Sequence, residues 1–548
     1  MDTLMDTQAI QRRRWVILGV LVTGLLAIVI DNTVLNVALK TIADPAGGLG
    51  ASQSQLEWAI NSYTLVFAGL LFTFGVIGDR IGRKRMLMIG LALFGLGSLF
   101  SAYAHSPDQL VAARAVMGFG GAAVMPQTLS IISNVFEPRE RARAIGIWAS
   151  AVGVGVAIGP VLGGALLAHF WWGSVFLINV PVTVIGAAAV LTLVPESRNP
   201  APGKIDYVGV LASVVGLVLL VYGIVQGGDT GSWVRGDVLI PVVAGLSVLA
   251  LFAWYEARIS HPSLDVRLFR DRRLSASVGV IALLFFCMGG VYFFISFYLQ
   301  NVRGYTPLHA GLLAVPFAAG QMIMSPRSAG LVARFGARAV AGGGLLLNAL
   351  AIAGYALLGT SSPIWVLVVC YVIQGLGLGA AVPTATTAVM EVLPRERAGA
   401  GSALTNTARQ VAVALSVAVL GSILAEFYRS SLSPSLASLP VAARNAASSS
   451  ISATQAVAQQ LGASGRSLLT PANDAFVHAM HFTTLVAALL ALTGGFVVLR
   501  WMPGKPKPAA AAAQGSSAPE ITAPSEDSYE SELAIMEADM LNTADREG

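Results

Sequence analysis

GVIGDRIGRKR, residues Gly75–Arg85, lies between two long apolar runs and packs three glycines, one acid and four bases into eleven residues. Lys and Arg resist crossing a bilayer, so a basic turn between two membrane-length helices stays in the cytoplasm and fixes the topology around it. Glycine supplies the backbone freedom that a tight reversal needs. The stretch therefore predicts a helical hairpin with a cytoplasmic turn, and the rest of the chain can be threaded outward from it.

The composition agrees. The chain has 548 residues, of which 55% are hydrophobic and 11% charged, and its mean hydropathy is +0.71. Soluble domains carry about 25% charged residues, so this chain lacks the charge to cover a water-facing surface and is expected to be an all-α integral membrane protein. Its net charge of +5 records bases in cytoplasmic turns and gives no reason to invoke nucleic acid. Both cysteines, Cys287 and Cys370, sit in apolar runs without metal or disulfide spacing, as small hydrophobes do. The first apolar stretch, Arg12–Ile30, runs on through a polar DNT without a small-residue cleavage site and reads as a spanning helix rather than a leader.

A span takes roughly 20 apolar residues, and fourteen such runs begin near Trp15, Trp58, Met86, Leu110, Ala144, Phe176, Val208, Val238, Ala276, Ala310, Val340, Ile364, Ser402 and Ala475. With both termini cytoplasmic, 27 of the 34 bases fall on inner segments and 6 (Lys40, Arg235, Arg303, Arg429, Arg444, Arg466) on outer ones. Arg409 counts with the inner set, at the end of its span, and Arg114 is the one base left within a span. A missed or extra helix in the middle would destroy this asymmetry. Residues 426–471, rich in Ser and Ala, are expected to form a long mobile external loop with one short amphipathic helix near Ala453–Leu461. Residues 503–548 read as a disordered cytoplasmic tail.

The two halves repeat. GFGGAAVMP at Gly118–Pro126 recurs as GLGLGAAVP at Gly375–Pro383, PRERARA at Pro138–Ala144 as PRERAGA at Pro394–Ala400, and DRIGRK at Asp79–Lys84 in degraded form as ARFGAR at Ala333–Arg338. The offsets are 257, 256 and 254 residues. The expected organisation is two parallel six-helix bundles, 1–203 and 260–502, with a helix pair inserted at 204–259. Parallel repeats place a substrate path at their interface near the bilayer midplane.

Asp31, in AIVIDNTVLNVAL, is the one carboxylate that this count places well inside a span. A buried charge there costs roughly 2.5–3.5 kcal/mol and marks ion or proton pathways unless the nearby interface solvates it. Arg114, in LVAARAVMGFGG, lies at a comparable depth and either pairs with Asp31 or snorkels to the headgroups. GVGVAIGPVLGG carries Gly155, Gly159, Gly163 and Gly164 with Pro160. That spacing allows backbone-close helix contact and a bend, in ordinary packing or in a functional interface. Asp79 is either solvated loop charge or a latch acid that pairs with bases across the cytoplasmic face, with Gly75, Arg80, Gly82 and Arg83 around it. The seven rings between Phe285 and Tyr298 include belt and lipid-facing candidates. Tyr292, with Asn32, Asn61 and Gln321, is assigned to a substrate cavity.

These motifs resemble the major facilitator superfamily, and within it the fourteen-helix drug:proton antiporters. GVIGDRIGRKR is similar to the loop motif between helices 2 and 3, IDNTVLNVAL to the helix 1 motif of the exporters, LVAARAVMGFGGA to the helix 4 motif, and GVGVAIGPVLGG to the helix 5 antiporter motif. WGSVFLINVP (Trp172–Pro181), YLQNVRGYTPLHAG (Tyr298–Gly311) and NTARQVAVAL (Asn406–Leu415) are similar to further stretches of that subfamily. The resemblance implies that Asp31 and Arg114 form the proton-linked pair, that Asp79, Arg80 and Gly82 form a conformational latch, and that Gly155–Gly164 is the interface biasing the protein toward export. Lys40 stands where the first motif usually ends in proline. The later helices lack the second buried acid of relatives that export divalent cations, which favours monovalent, neutral or zwitterionic substrates.

The expected function is proton-coupled export of amphipathic or lipophilic small molecules, such as drugs, across the cell membrane. The partners would be substrate, protons and lipid, the chain acting as a monomer without a metal or other cofactor. The alternatives are an uptake symporter of the same fold and a membrane receptor or embedded enzyme signalling through its tail. HExxH, a phosphate loop, Cys/His metal spacing and a Ser/His/Asp set are all missing from the sequence, so an enzyme is not expected.

Overall fold

The computed structural model describes residues 2–198, 206–259, 262, 266–392 and 398–502. The predicted tail and residues 394–397 of the second PRERA copy lie outside them. The described residues are helical wherever they are regular.

The first bundle consists of α1 (Asp2–Ala43), α2 (Gln53–Ile81), α3 (Arg83–Ala102), α4 (Pro107–Val135), α5 (Pro138–His169), the single turn α6 (Ser174–Leu177) and α7 (Asn179–Leu193). Then come the inserted helices α8 (Tyr207–Thr230) and α9 (Gly236–Glu256). The second bundle opens with α10 (Arg272–Phe297), which runs into a π-helical turn at Tyr298–Val302. A broken rod follows, built from α11 (Pro307–Leu312), α12 (Val315–Met324) and α13 (Ser328–Phe335). It continues with α14 (Ala337–Gly354), α15 (Ile364–Val392) and α16 (Ala398–Leu432), then the short α17 (Val441–Ala447) and α18 (Ile451–Gln460), and closes with α19 (Leu469–Trp501). Among the described residues, twelve spans are long and apolar enough to cross a membrane, and thirteen when the bent α2 counts as one. The rod that completes the predicted fourteen is α5, apolar over Val154–His169.

Local chemistry sets the ends of these rods. Ser52 and Gln55 form a reciprocal capping box at α2, Ser106 caps α4 ahead of Pro107, and Thr306 caps α11 ahead of Pro307. Each side-chain oxygen satisfies a first-turn N–H that has no partner within its helix. At the two repeat-related corners the chain turns on Gly82 (φ +118°) and Gly336 (φ +85°), values that an L side chain rarely adopts.

The bundles meet along two seams, α2 against α16 and α5 against α11 and α12. Helix α8 lies on the first seam, touching both α2 and α16. There Leu217, Val221 and Val225 join Leu65 of α2 with Ala414 and Ala418 of α16 in one apolar cluster. Ser422 donates to the Ile224 carbonyl at 3.0 Å, and Arg429 to the carbonyls of Gly228 (3.0 Å) and Asp229 (2.7 Å). The inserted pair is therefore anchored across the junction of the halves.

Within residues 426–471 the expected short helix is present as α18 (Ile451–Gln460), and the segment carries more helix than expected. Helix α16 continues through Leu432, α19 starts at Leu469, and α17 and α18 fold back between them. Thr454 binds the Ala447 carbonyl and the Tyr428 hydroxyl, both at 2.6 Å. Asn301 donates to Ser452 (3.0 Å), and Gln455 returns a bond to the Asn301 carbonyl (3.2 Å). Small Ser and Ala side chains, read as loop composition, are here the residues that let short helices pack closely.

Candidate functional site

Asp31, three-quarters along α1, and Arg114, two turns into α4, form a salt bridge with both side chains about 1% exposed. Burying a carboxylate and a guanidinium is tolerable only when both are paired and their remaining bonds are satisfied, and here they are. The Asn179 amide donates to the second Asp31 oxygen (3.1 Å) and to Ser98 (3.1 Å). Arg114 Nε donates to the Ala59 carbonyl (3.1 Å), and its guanidinium lies 4.4 Å from the Tyr63 ring centre and 5.8 Å from that of Phe176. Arg114 thus faces inward rather than snorkelling.

A cavity of about 160 Å³ opens between the bundles beside this pair, lined from α1, α2, α4, α5, α10 and α16. Asn32 lines it and donates to the Tyr63 hydroxyl at 3.2 Å. Two side chains, Asn32 and Tyr63, therefore connect the cavity to the ion pair. Tyr292 lines the cavity, packs edge-on to Phe317 and face-on to Tyr371, and has a buried hydroxyl without a hydrogen-bond partner.

Two cavity expectations need correction. The α2 face on the cavity runs through Ile60, Thr64 and Phe67, and Asn61 is rotated about 100° from that stripe. Asn61 is fully buried elsewhere, and neither of its amide atoms has a partner. Gln321 lies on α12 against α15, where a Cβ on Gly379 would sit 2.7 Å from the Gln321 carbonyl oxygen. The second bundle lines the cavity with α10 and α16 instead.

The α5 glycines face two ways. A Cβ at Gly155 would lie 2.8 Å from Val29, one at Gly159 2.9 Å from the Thr33 Cβ, and one at Gly163 2.9 Å from Val34, all on α1. Gly164 instead meets α11, its Cβ position 2.6 Å from the Leu308 Cα, and Gly311 packs on the Pro160 carbonyl. One face closes the first bundle and the other closes on the second, both at backbone contact.

At the Gly75–Arg85 corner, Asp79 pairs with Arg83 one turn ahead at 2.8 Å, not with a base across the face. Gly75 and Gly78 let α2 approach Pro126 and Gln127 of α4. The corner is tied to the last turn of α7 and the segment after it. The Arg83 N–H donates to the Ser197 carbonyl (2.9 Å), the Lys84 N–H to Glu196 (3.1 Å) and the Lys84 ammonium to the Leu191 carbonyl (2.7 Å). Arg80 is exposed beside them.

Sequence reasoning missed two charges within the six-helix bundles. Arg409, counted at the inner end of its span, lines the central cavity. Glu57 is a second acid inside the bundle, 3% exposed, accepting from Gln53 (3.3 Å) while Gln53 also bonds the Gly421 carbonyl of α16 (3.1 Å). Its cover comes from the other half of the molecule, which no local pattern announces. Lys40, the departure from the helix 1 motif, donates to the Gln300 carbonyl (2.6 Å), and Gln300 donates back to Val37 (2.9 Å). Together they join α1 to α10 at the end opposite the basic corner.

Two bundles of the same topology closing on one central cavity define a membrane transporter. The chain belongs to the Major Facilitator Superfamily, whose family model matches residues 21–417. It is 36% identical to the multidrug efflux pump LfrA of Mycolicibacterium smegmatis, over 89% of this chain and 96% of that protein. It is 33% identical to the methyl viologen resistance protein SmvA of Salmonella typhimurium, over 88% and 97%. The fold matches the crystal structure of a bacterial homologue of the human lysosomal transporter Spinster, inward-facing and unoccupied. That match has a TM-score of 0.63 and 20% identity, and covers 89% of this chain and 97% of the other.

Proposed function

We propose that the chain exports amphipathic or lipophilic small molecules across the cytoplasmic membrane in exchange for protons. The observation that carries this reading is the buried Asp31–Arg114 pair, held one hydrogen-bonded relay, Asn32–Tyr63, away from the cavity between the bundles. The efflux and resistance names of LfrA and SmvA favour export over uptake.

A proton arriving from outside binds an Asp31 carboxylate oxygen and cancels the charge that holds Arg114. The guanidinium keeps its bond to the Ala59 carbonyl and its place over Tyr63 but loses its counter-ion. The first bundle then has a reason to rearrange, and Tyr63 carries that rearrangement to Asn32 in the cavity. Deprotonation toward the cytoplasm restores the pair. The backbone-close α5 contacts serve as the surface on which the halves rock, and the Asp79–Arg83 corner holds α2, α3 and the segment after α7 as one rigid piece during the motion. By the excess of bases, the face carrying that corner and both chain ends is cytoplasmic.

Everted membrane vesicles with an imposed proton gradient provide the test. Wild type should accumulate a lipophilic dye and lose it on addition of an uncoupler. Asp31→Asn should abolish the gradient-driven component, and full proton-dependent accumulation by that variant would sink the mechanism.

A further inference from the structure

Among the described residues lining the central cavity, Arg409 is the one charged side chain, and no acid lines it. Asp31, in the first bundle, is committed to Arg114 and Asn179. Arg409 gives one N–H to Asn406 Oδ1 (2.7 Å), and its guanidinium lies 5.4 Å from the Phe285 ring centre. A guanidinium has five N–H donors in a planar fork, so most of its hydrogen-bonding capacity is unspent. Tyr292, on the facing helix α10, also lines the cavity. The rest of the lining is largely apolar and includes Phe285, Met288, Val413 and Val417.

We infer that the cavity selects substrates that join a flat apolar body to an anionic group, a carboxylate or sulfonate, which binds Arg409. The argument is electrostatic. In a low-dielectric cavity a second cation beside a guanidinium is repelled, while an anion gains a charge-assisted, bidentate contact. The same anion supplies the counter-charge that the chain itself does not place there. Phe285, Tyr292 and Met288 offer stacking and soft packing for the apolar body. The inference deepens the export reading, on which it rests, by fixing the sign of the substrate's charge.

Three probes of one shape and about this cavity's size separate the possibilities: naphthoate, its methyl ester, and naphthylmethyl-trimethylammonium. Their affinities for the full chain in lipid nanodiscs, read by naphthyl fluorescence, should fall in that order, the acid at least about tenfold tighter than the ester. Arg409→Gln should weaken the acid about tenfold or more and leave the ester within about twofold. Arg409→Lys should recover part of the loss. Acid and ester within twofold of each other in wild type, or the cation binding best, would overturn the inference. Should Arg409→Gln fail to fold, the wild-type order of the three probes decides alone. Nanodisc binding needs no gradient, so the preference stands or falls independently of proton-driven export. Gradient-driven export of the cation but not the acid would remove the preference and leave export intact.

Discussion

Helices α4 and α15 occupy corresponding places in the two repeats, yet position 114 carries an arginine and position 371, 257 residues on, a tyrosine. The arginine is sealed against Asp31. The tyrosine sits among rings, its centre 6.4 Å from that of Tyr292 and 6.0 Å from that of Tyr355. An ion pair has a charge to lose when a proton arrives, whereas a phenol changes nothing near neutral pH. On the proposed mechanism, the first bundle is the half that responds to protons. The second contributes shape, stacking and the cavity cation.

Charge removal on each side tests that division most severely. Leaving one member of a buried pair alone costs about 3–5 kcal/mol, so Asp31→Asn should cut gradient-driven transport by about a hundredfold or more and lower the unfolding temperature. Tyr371→Phe should change transport by no more than about threefold. Replacing Asp31 and Arg114 together with Leu should recover thermal stability without recovering transport, because apolar pairs often match buried ion pairs in stability. Equal transport losses from the Asp31 and Tyr371 variants would show that coupling is shared by the halves.

The two glycine corners give a smaller contrast. Gly82→Ala and Gly336→Ala both force a side chain into positive φ, which costs about 1–2 kcal/mol. At Gly82 the new methyl would also lie 2.6 Å from the Glu196 carboxyl carbon, so Gly82→Ala should be the more destabilising in thermal unfolding. Smaller again is the charge effect. Asp79→Asn removes the 2.8 Å bridge to Arg83 and should slow turnover several-fold with substrate affinity unchanged. Arg334, whose guanidinium lies 5.2 Å from the Phe335 ring centre, should tolerate Ala. Equal slowing by Arg334→Ala would place a latch in each half.

How much of this was legible follows from where the information resides. Apolar run length, the 27-to-6 division of bases and the recurring motifs are one-dimensional signals, and they yielded the helical rods and the repeat. The Asp31–Arg114 pairing was readable because two opposite charges at similar depth have few other places to go. Arg409 was not. It is the twelfth residue of a helix that begins at Ala398, before its apolar run, so counting from the run placed it too near the surface. Asn61 and Gln321 were assigned to the cavity by residue type, but cavity membership depends on which helix stripe faces inward, as Ile60 and Thr64 show on α2. Glu57 required knowing that α16 would cover it, a contact across more than 350 residues of chain.

The finest test uses a third repeat-related position. Met117 on α4 corresponds to Gln374 on α15 at the same 257-residue offset. In the first bundle the Met117 sulfur accepts from Ser101 (3.4 Å) and Arg114 (3.7 Å). In the second, Tyr355 donates to Gln374 Oε1 at 2.7 Å while Gln374 Nε2 is buried without a partner. Tyr355→Phe would leave both ends of that amide unsatisfied, a loss of about 1–3 kcal/mol. Adding Gln374→Met to Tyr355→Phe removes the buried amide and supplies the side chain that the first bundle uses there, so the double variant should recover most of the lost stability in thermal unfolding. Proton dependence should stay at its wild-type value throughout. A change in that dependence would mean that the aromatic side of the molecule also takes part in coupling, and the division drawn from Arg114 and Tyr371 would have to be abandoned.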